Sequence, residues 1–420
     1  MNGDGRVRVA VTGIGVVCPL GIGREEMWAS TVAGRSGAGL ITLFDASDLP
    51  VRIACEAHGF DPSDFMDRRA ARRMDRYAQL AVAAGRLAVQ DARLPIDRDG
   101  AGIGAIIGNG GSGTISREEQ HRVMLERGID RVSPFAIPQS VANMGAGQVS
   151  IELGLRGPVT ATCTACAAGT DAIGTATDII RRGDARVMLA GGGDTLISPF
   201  FVAGFDAMRV LSRRNDDPAG AARPFDEERD GFLVGEAGAV LVLEPLDDAV
   251  ARGADIICEV AGYGASADGH HITDPDAASQ ARAVRMALGD AGLEAADVDH
   301  VNAHGGGSLT GDRSEVRMLT MALGEDVAAR VAVSATKSMH GHCMGATGAL
   351  EAAITALAVK EGVMPPTINL HTVDADCRGV DHVANEARHA DIRVALSANY
   401  GLGGHNAVIA LTRHEEGDAG

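Results

Sequence analysis

The chain has 420 residues, 45% of them hydrophobic, enough for two domains or for one large core built twice. Aromatics make up only 3% against 55 glycines, and the net charge is −18, which disfavours an all-β sandwich and any nucleic-acid partner held by base stacking or a basic field. No apolar run approaches the ~18 residues of a membrane span, no cleavage site follows the apolar N-terminal stretch, and seven scattered cysteines fit reduced thiols, so a cytoplasmic chain without a membrane partner is expected.

In chain order, "RVRVAVTGIGVV" reads as a buried strand running into a glycine turn. "MDRRAARRMDRYAQ" places Arg69, Arg72, Arg73 and Arg76 at helical spacing on one face, beside Arg68. Residues 77–92 have helical spacing, and the apolar runs within 100–113, 184–193 and 238–246 read as strands bounded by Gly or Pro. Strands alternating with helices predict an α/β layered fold. The second part repeats the plan. Residues 256–268 resemble the opening strand, and "DVDHVNAHGGGS" ends in a glycine-rich loop as "GIGAIIGNGGSG" does. Aligning Cys166 with Cys343 pairs Thr170 with Thr347 and Ala176 with Ala353, in helical segments that stop at Gly183 and Gly362. An internal duplication is expected, with halves 1–254 and 255–413, a seam near 247–256 and a disordered tail at 414–420.

The chemistry centres on "ATCTACAAGTDAIG", residues 161–174. Cys166 precedes a helical segment among small residues, where a helix N-terminus would lower the thiol pKa and a substrate could approach. Cys163 completes a C-x-x-C pair, so a redox site is an alternative. "MHGHCMG" offers His340, His342 and Cys343, a poor zinc spacing with no second C-x-x-C. His304 ends an apolar strand in a glycine loop. Under the duplication His342 falls one residue before the counterpart of Cys166. A thiol and two imidazoles from equivalent loops then form one constellation, with Lys337 and Glu351 nearby.

The motifs "TAC" at 164–166, "RPFDEERDGFLVGEAGAVLVLE" at 223–244, "NAHG" with "GD" at 302–312, "TKSMHGH" at 336–342 and "GLGG" at 401–404 occur in that order. With them the chain resembles the β-ketoacyl-acyl carrier protein synthases, most closely the type II elongating enzymes. The resemblance implies a thiolase-like fold of duplicated βαβαβαββ halves in five α-β-α-β-α layers. It implies a homodimer, or a heterodimer with a chain-length-factor subunit. The implied reaction is a decarboxylative condensation. Cys166 would carry the acyl group, His304 and His342 would stabilise the enolate, and Lys337 with Glu351 would orient the histidines. The backbone N–H groups of Cys166 and Leu402 would form the oxyanion hole. No metal or organic cofactor is implied, since substrates arrive on the phosphopantetheine of acyl carrier protein. His271, Thr273 and Ser308 match positions that bind that arm. Arg68, Arg69, Arg72, Arg73 and Arg214 form the expected carrier-protein patch. A non-catalytic partner subunit should lack Cys166, and a thiolase should have a second cysteine where this chain keeps histidine.

Three positions depart from the family pattern. Gly306 stands where a threonine usually contacts the arm. Leu402 replaces the usual aromatic gate, and Gly111 replaces a bulky aliphatic. Gly111 and Leu402, with Tyr400, define an expected acyl pocket with room for longer or stiffer chains in fatty-acid or polyketide synthesis.

Overall fold

The computed structural model describes residues 6–96 and 100–415. The first half supplies β1 (Val9–Cys18), α1 (Arg76–Asp91), β2 (Ile103–Gly108), α2 (Met144–Leu153), β3 (Val159–Thr160), α3 (Ala168–Arg181), β4 (Val187–Thr195) and β5 (Glu236–Pro245). The second supplies β6 (Cys258–Ala267), α4 (Ala277–Ala291), β7 (His300–Asn302), α5 (Leu309–Leu323), β8 (Ala332–Ser334), α6 (Thr347–Glu361), β9 (Val394–Gly401) and β10 (His405–Thr412).

The strands order as β3-β2-β4-β5-β1 in the first half and β8-β7-β9-β10-β6 in the second, with the short strand Asp381–His382 beyond β8. Both halves show the same pairing: parallel across the first three strands, antiparallel across the last three. They join where β1 meets β6 at Ala10–Glu259 and Val11–Cys258. Helices α3 and α6 pack on each other between the two sheets, α1 and α2 cover the outside of the first sheet, and α4 covers the second with α5 packed against it. This is the expected five-layered arrangement.

The glycine-rich composition is explained by close approach between layers. A Cβ at Gly13 or Gly15 would lie 2.6 or 2.0 Å from the Ala88 or Ala84 carbonyl oxygen, so α1 rests directly on the backbone of β1. In the central layer a Cβ at Gly169 would meet the Ala349 nitrogen at 2.6 Å, and one at Gly348 would meet the Thr170 nitrogen at 2.7 Å. That reciprocity gives the true register of the duplication. The turns before α3 and α6 each carry a left-handed residue, Ala165 (φ 50°) and Met344 (φ 45°). Cys166 therefore corresponds to Gly345, two positions beyond Cys343, and His342 corresponds to Cys163. Similar Ala- and Gly-rich helices conceal such a slip, because apolar spacing survives it.

Two further expectations change. The basic stretch is not one helix: Arg68–Ala71 is a four-residue helix, the chain turns, and α1 starts at Arg76 with Asp75 as its cap. The predicted tail also starts late, since His414 Nδ1 lies 3.1 Å from Glu259 Oε1; the remaining tail, 416–420, lies outside the described residues. Among the described residues no helix is long and apolar enough to cross a membrane.

Candidate active site

The residue before the nucleophile sets its direction. Ala165 holds the left-handed conformation that L-residues rarely adopt, and the turn Ala165–Ala167 then delivers Cys166 to the start of α3. The thiol is buried, with Sγ 3.0 Å from His342 Nε2 and 3.8 Å from Met344 Sδ. Cys163, by contrast, is exposed, and all seven cysteines are free. The expected thiolate is overruled. Burial pushes the Cys166 thiol up to about 11, although the Lys337 ammonium and the backbone N–H groups of Leu402 and Cys166 pull it down.

His342 receives the Met344 N–H on Nδ1 at 3.1 Å, with Thr347 Oγ1 also 3.1 Å away. Nδ1 is thus an acceptor, and the neutral ring carries its proton on Nε2, facing the sulfur. His304 is set the same way, with Nδ1 accepting the Tyr400 N–H at 3.4 Å. The two rings cross edge to face, centroids 5.6 Å apart. Burial, reinforced by the Lys337 charge, holds both imidazoles well below their ordinary pKa.

Lys337 Nζ donates to the His304 carbonyl oxygen at 2.6 Å and to Glu351 Oε1 at 2.7 Å. Burial raises the Glu351 carboxyl, and the Lys337 ammonium and the Asn399 amide draw it back down. Sequence reasoning missed three buried polar groups that hold the surrounding loops. Asp194 accepts the N–H groups of Gly110, Gly111 and Gly345, tying loops of both halves together. Glu315 accepts those of His304 and Gly305 at 2.6 and 2.7 Å. Arg229, from the 223–244 motif, bonds Asp374 and the Ser308 and Leu309 carbonyls while facing Asp312 at 3.3 Å. Asp194 and Arg229 take these partners from distant segments, and Glu315 reaches back 10 and 11 residues to backbone N–H groups rather than side chains, so no side-chain pattern signals the role.

A cavity of about 170 Å³ opens over Cys166, His304 and His342. His271, Thr273, Ser308, Tyr400 and Leu402 line it, beside Phe205 and Phe232. Ser308 Oγ already caps α5 by accepting the Gly311 N–H at 3.2 Å, and His271 Nδ1 accepts the Thr273 N–H at 3.2 Å. Leu402 is 37% exposed and Tyr400 is buried. Gly111 does not line the cavity. A Cβ there would meet the Phe201 ring at 3.0 Å and Asp194 Oδ1 at 2.9 Å, so the missing bulk is replaced by phenylalanine, not by open channel. Gly306 does border the cavity, and a Cβ on it would have nothing within 4 Å.

In the basic patch Arg68, Arg69, Arg72 and Arg73 are exposed, with the Arg73 guanidinium 4.9 Å above the Phe135 ring. Arg76 turns inward to a bidentate ion pair with Glu236. Arg214 is half-buried, donating to the Glu228 carbonyl at 2.7 Å, with the Glu228 and Asp230 carboxylates 3.7 and 3.6 Å away.

The model of the β-ketoacyl synthase N-terminal domain matches residues 6–249, and that of the C-terminal domain matches 257–371. The chain belongs to the β-ketoacyl synthase family. Within it, the chain is 44% identical over 411 residues to a curated 3-oxoacyl-[acyl-carrier-protein] synthase 2 of Synechocystis sp., covering 97% of this chain and 98% of the relative. It is also 44% identical over 412 residues to the synthase of that name from Staphylococcus aureus, covering 97% and 99%. Among solved structures, the ishigamide ketosynthase/chain length factor superposes with a TM-score of 0.91 at 36% identity, over 98% of this chain and all of that one. A type II polyketide ketosynthase in complex with its acyl-carrier protein gives 0.89 at 31% identity, over 97% and 100%.

Proposed function

We propose that this β-ketoacyl synthase joins an acyl chain on Cys166 to a malonyl unit on acyl carrier protein, giving β-ketoacyl-acyl carrier protein. The observation that carries the reading is the 3.0 Å approach of Cys166 Sγ to a neutral His342, with His304 beside it in one shared cavity. Cys166 sulfur bonds to the incoming acyl carbon, and its proton passes to the departing pantetheine sulfur. The N–H groups of Cys166 and Leu402, both directed at Sγ, stabilise the tetrahedral oxyanion. Malonyl thioester then enters and loses carbon dioxide. The two Nε2–H donors stabilise the enolate oxygen, an electrostatic contribution strengthened by exclusion of water. The enolate carbon attacks the acyl-cysteine, and Cys166 sulfur leaves and regains a proton from solvent.

The phosphopantetheine arm enters past His271, Thr273 and Ser308, and the exposed arginines at 68, 69, 72 and 73 take the acidic carrier. Arg214 contributes less, because neighbouring carboxylates already offset its charge. The acyl chain extends between Tyr400, Leu402 and the Phe201–Phe205 stack, whose ring centroids lie 6.0 Å apart.

A paired subunit belongs to this reading. Leu125, Ile129 and Ile137 are 72%, 76% and 72% exposed in the segment leading to the edge strand β3, an apolar face of the kind that marks protein interfaces. The ketosynthase/chain length factor neighbour favours a second form of it, in which the partner is a related chain-length-factor subunit in polyketide assembly. Intact-mass analysis after incubation with a panel of acyl-carrier-protein thioesters, with and without candidate partner chains, tests both forms. Acylation confined to Cys166 supports the reading, a requirement for the partner selects the heterodimer, and acylation elsewhere overturns it.

A further inference from the structure

The segment Asn399–Leu402, which runs from the end of β9 into the turn after it, reaches His304, Cys166 and Glu351. The Tyr400 N–H reaches His304 Nδ1, and the Leu402 N–H faces Cys166 Sγ. Asn399 does something different. Its side chain is buried, with Nδ2 donating to Glu351 Oε2 at 2.6 Å and Oδ1 accepting from Thr170 Oγ1 at 2.6 Å. The orientation of the amide is fixed chemically, because its oxygen turned toward the Glu351 carboxylate would set two acceptors against each other. The other oxygen of Glu351 holds Lys337, which holds the His304 carbonyl. A continuous chain of short bonds therefore runs from Thr170, on the helix that starts at the nucleophile, through Asn399, Glu351 and Lys337, to the backbone of a catalytic histidine.

We propose that Asn399 is a positioning residue for the decarboxylation half of the reaction, fixing the Glu351 carboxylate so that Lys337 locks His304 in place. The inference rests on the condensing activity argued above. Asn399 touches neither Cys166 nor the oxyanion hole through its side chain, so acyl capture by Cys166 does not depend on it. Decarboxylation does, because it needs the His304 Nε2–H at a fixed point, and misplacing a reacting group by ~1 Å costs on the order of a hundredfold.

Two half-reactions separate this from a purely structural role. Capture of hexanoyl groups from hexanoyl-acyl carrier protein is followed by intact mass. Carbon dioxide release from malonyl-acyl carrier protein is followed on the full chain between about pH 6 and 9. In Asn399→Ala, capture is expected within about twofold of wild type and carbon dioxide release at least about tenfold slower. In Asn399→Asp, release is expected to recover as the pH falls, since a proton shared between the introduced carboxyl and Glu351 restores the missing donor. Parallel loss of both half-reactions and of thermal stability, or undiminished release in Asn399→Ala, overturns the proposal. Failure of wild type itself to capture acyl groups overturns the underlying activity, a result distinct from any difference among the variants.

Discussion

At Cys166 a helix start and two backbone N–H groups favour the thiolate and burial opposes it; burial wins, leaving a thiol pushed up to about 11. Alkylation of Cys166 by iodoacetamide is therefore expected to keep accelerating through pH 9; a plateau below pH 7 would contradict this. The histidines shift the opposite way. Their folded pKa values lie well below 6.5, so the neutral donors persist as the pH falls through that value. Carbon dioxide release should show no acid limb near 6.5, and a limb there would mean that one ring is solvated. Gly306 offers a gain: its Cβ direction is open and its φ lies outside the left-handed range, so Gly306→Thr should fold normally. The added hydroxyl should lower the KM for carrier-bound substrate by up to about fivefold, the worth of ~1 kcal/mol for one hydrogen bond, and an unchanged KM would show that the arm passes elsewhere. Cys166, His304 and His342 were legible in the sequence because reactive residue types stand out in small-residue loops. Ala165 was not, since nothing in an alanine announces a left-handed backbone. Asn399 and Asp194 were hidden because their partners come from remote segments, and Glu315 because it bonds backbone N–H groups, which no side-chain pattern marks.

Among elements, α3 and α6 bring the two halves together. The helix stops at Gly183 (φ 78°) and Gly362 (φ 64°) were readable, because glycine adopts that conformation without strain. The register between the helices was not, because backbone contact at Gly169 and Gly348 fixes it rather than any side-chain pattern. On α6, Glu351 pairs with Lys337, 0% and 2% exposed. Replacing Lys337 by Met leaves Glu351 uncompensated in the interior, which should cost about 3–5 kcal/mol. Chemical denaturation of Lys337→Met measures this directly. A loss below ~1 kcal/mol would mean that Glu351 is held mainly by Asn399. The arginine patch teaches the reverse lesson about elements. Helical spacing joined Arg76 to Arg69, Arg72 and Arg73, but the Asp75 cap begins a new helix and Glu236 draws Arg76 inside.

The whole molecule carries a net charge of −18, so an acidic carrier can dock only where local charge reverses the global field. Arg69→Ala with Arg73→Ala should weaken carrier binding severalfold at low salt and flatten its salt dependence; an unchanged salt dependence would move the docking face elsewhere. The layered plan was legible because both halves repeat the same strand and loop sequence, whereas the narrow β1–β6 junction depends on pairing over only two residue positions. What the duplication achieves is the meeting of a sulfur from one half with two imidazoles from the other. Assaying Cys166→Ser, His304→Ala and His342→Ala for acyl capture, carbon dioxide release and β-ketoacyl product tests that meeting most directly. The serine variant should form no product, and the alanine variants should still capture acyl groups while losing carbon dioxide release. Product formed at the wild-type rate by Cys166→Ser, or carbon dioxide release unaffected by loss of either histidine, would contradict it.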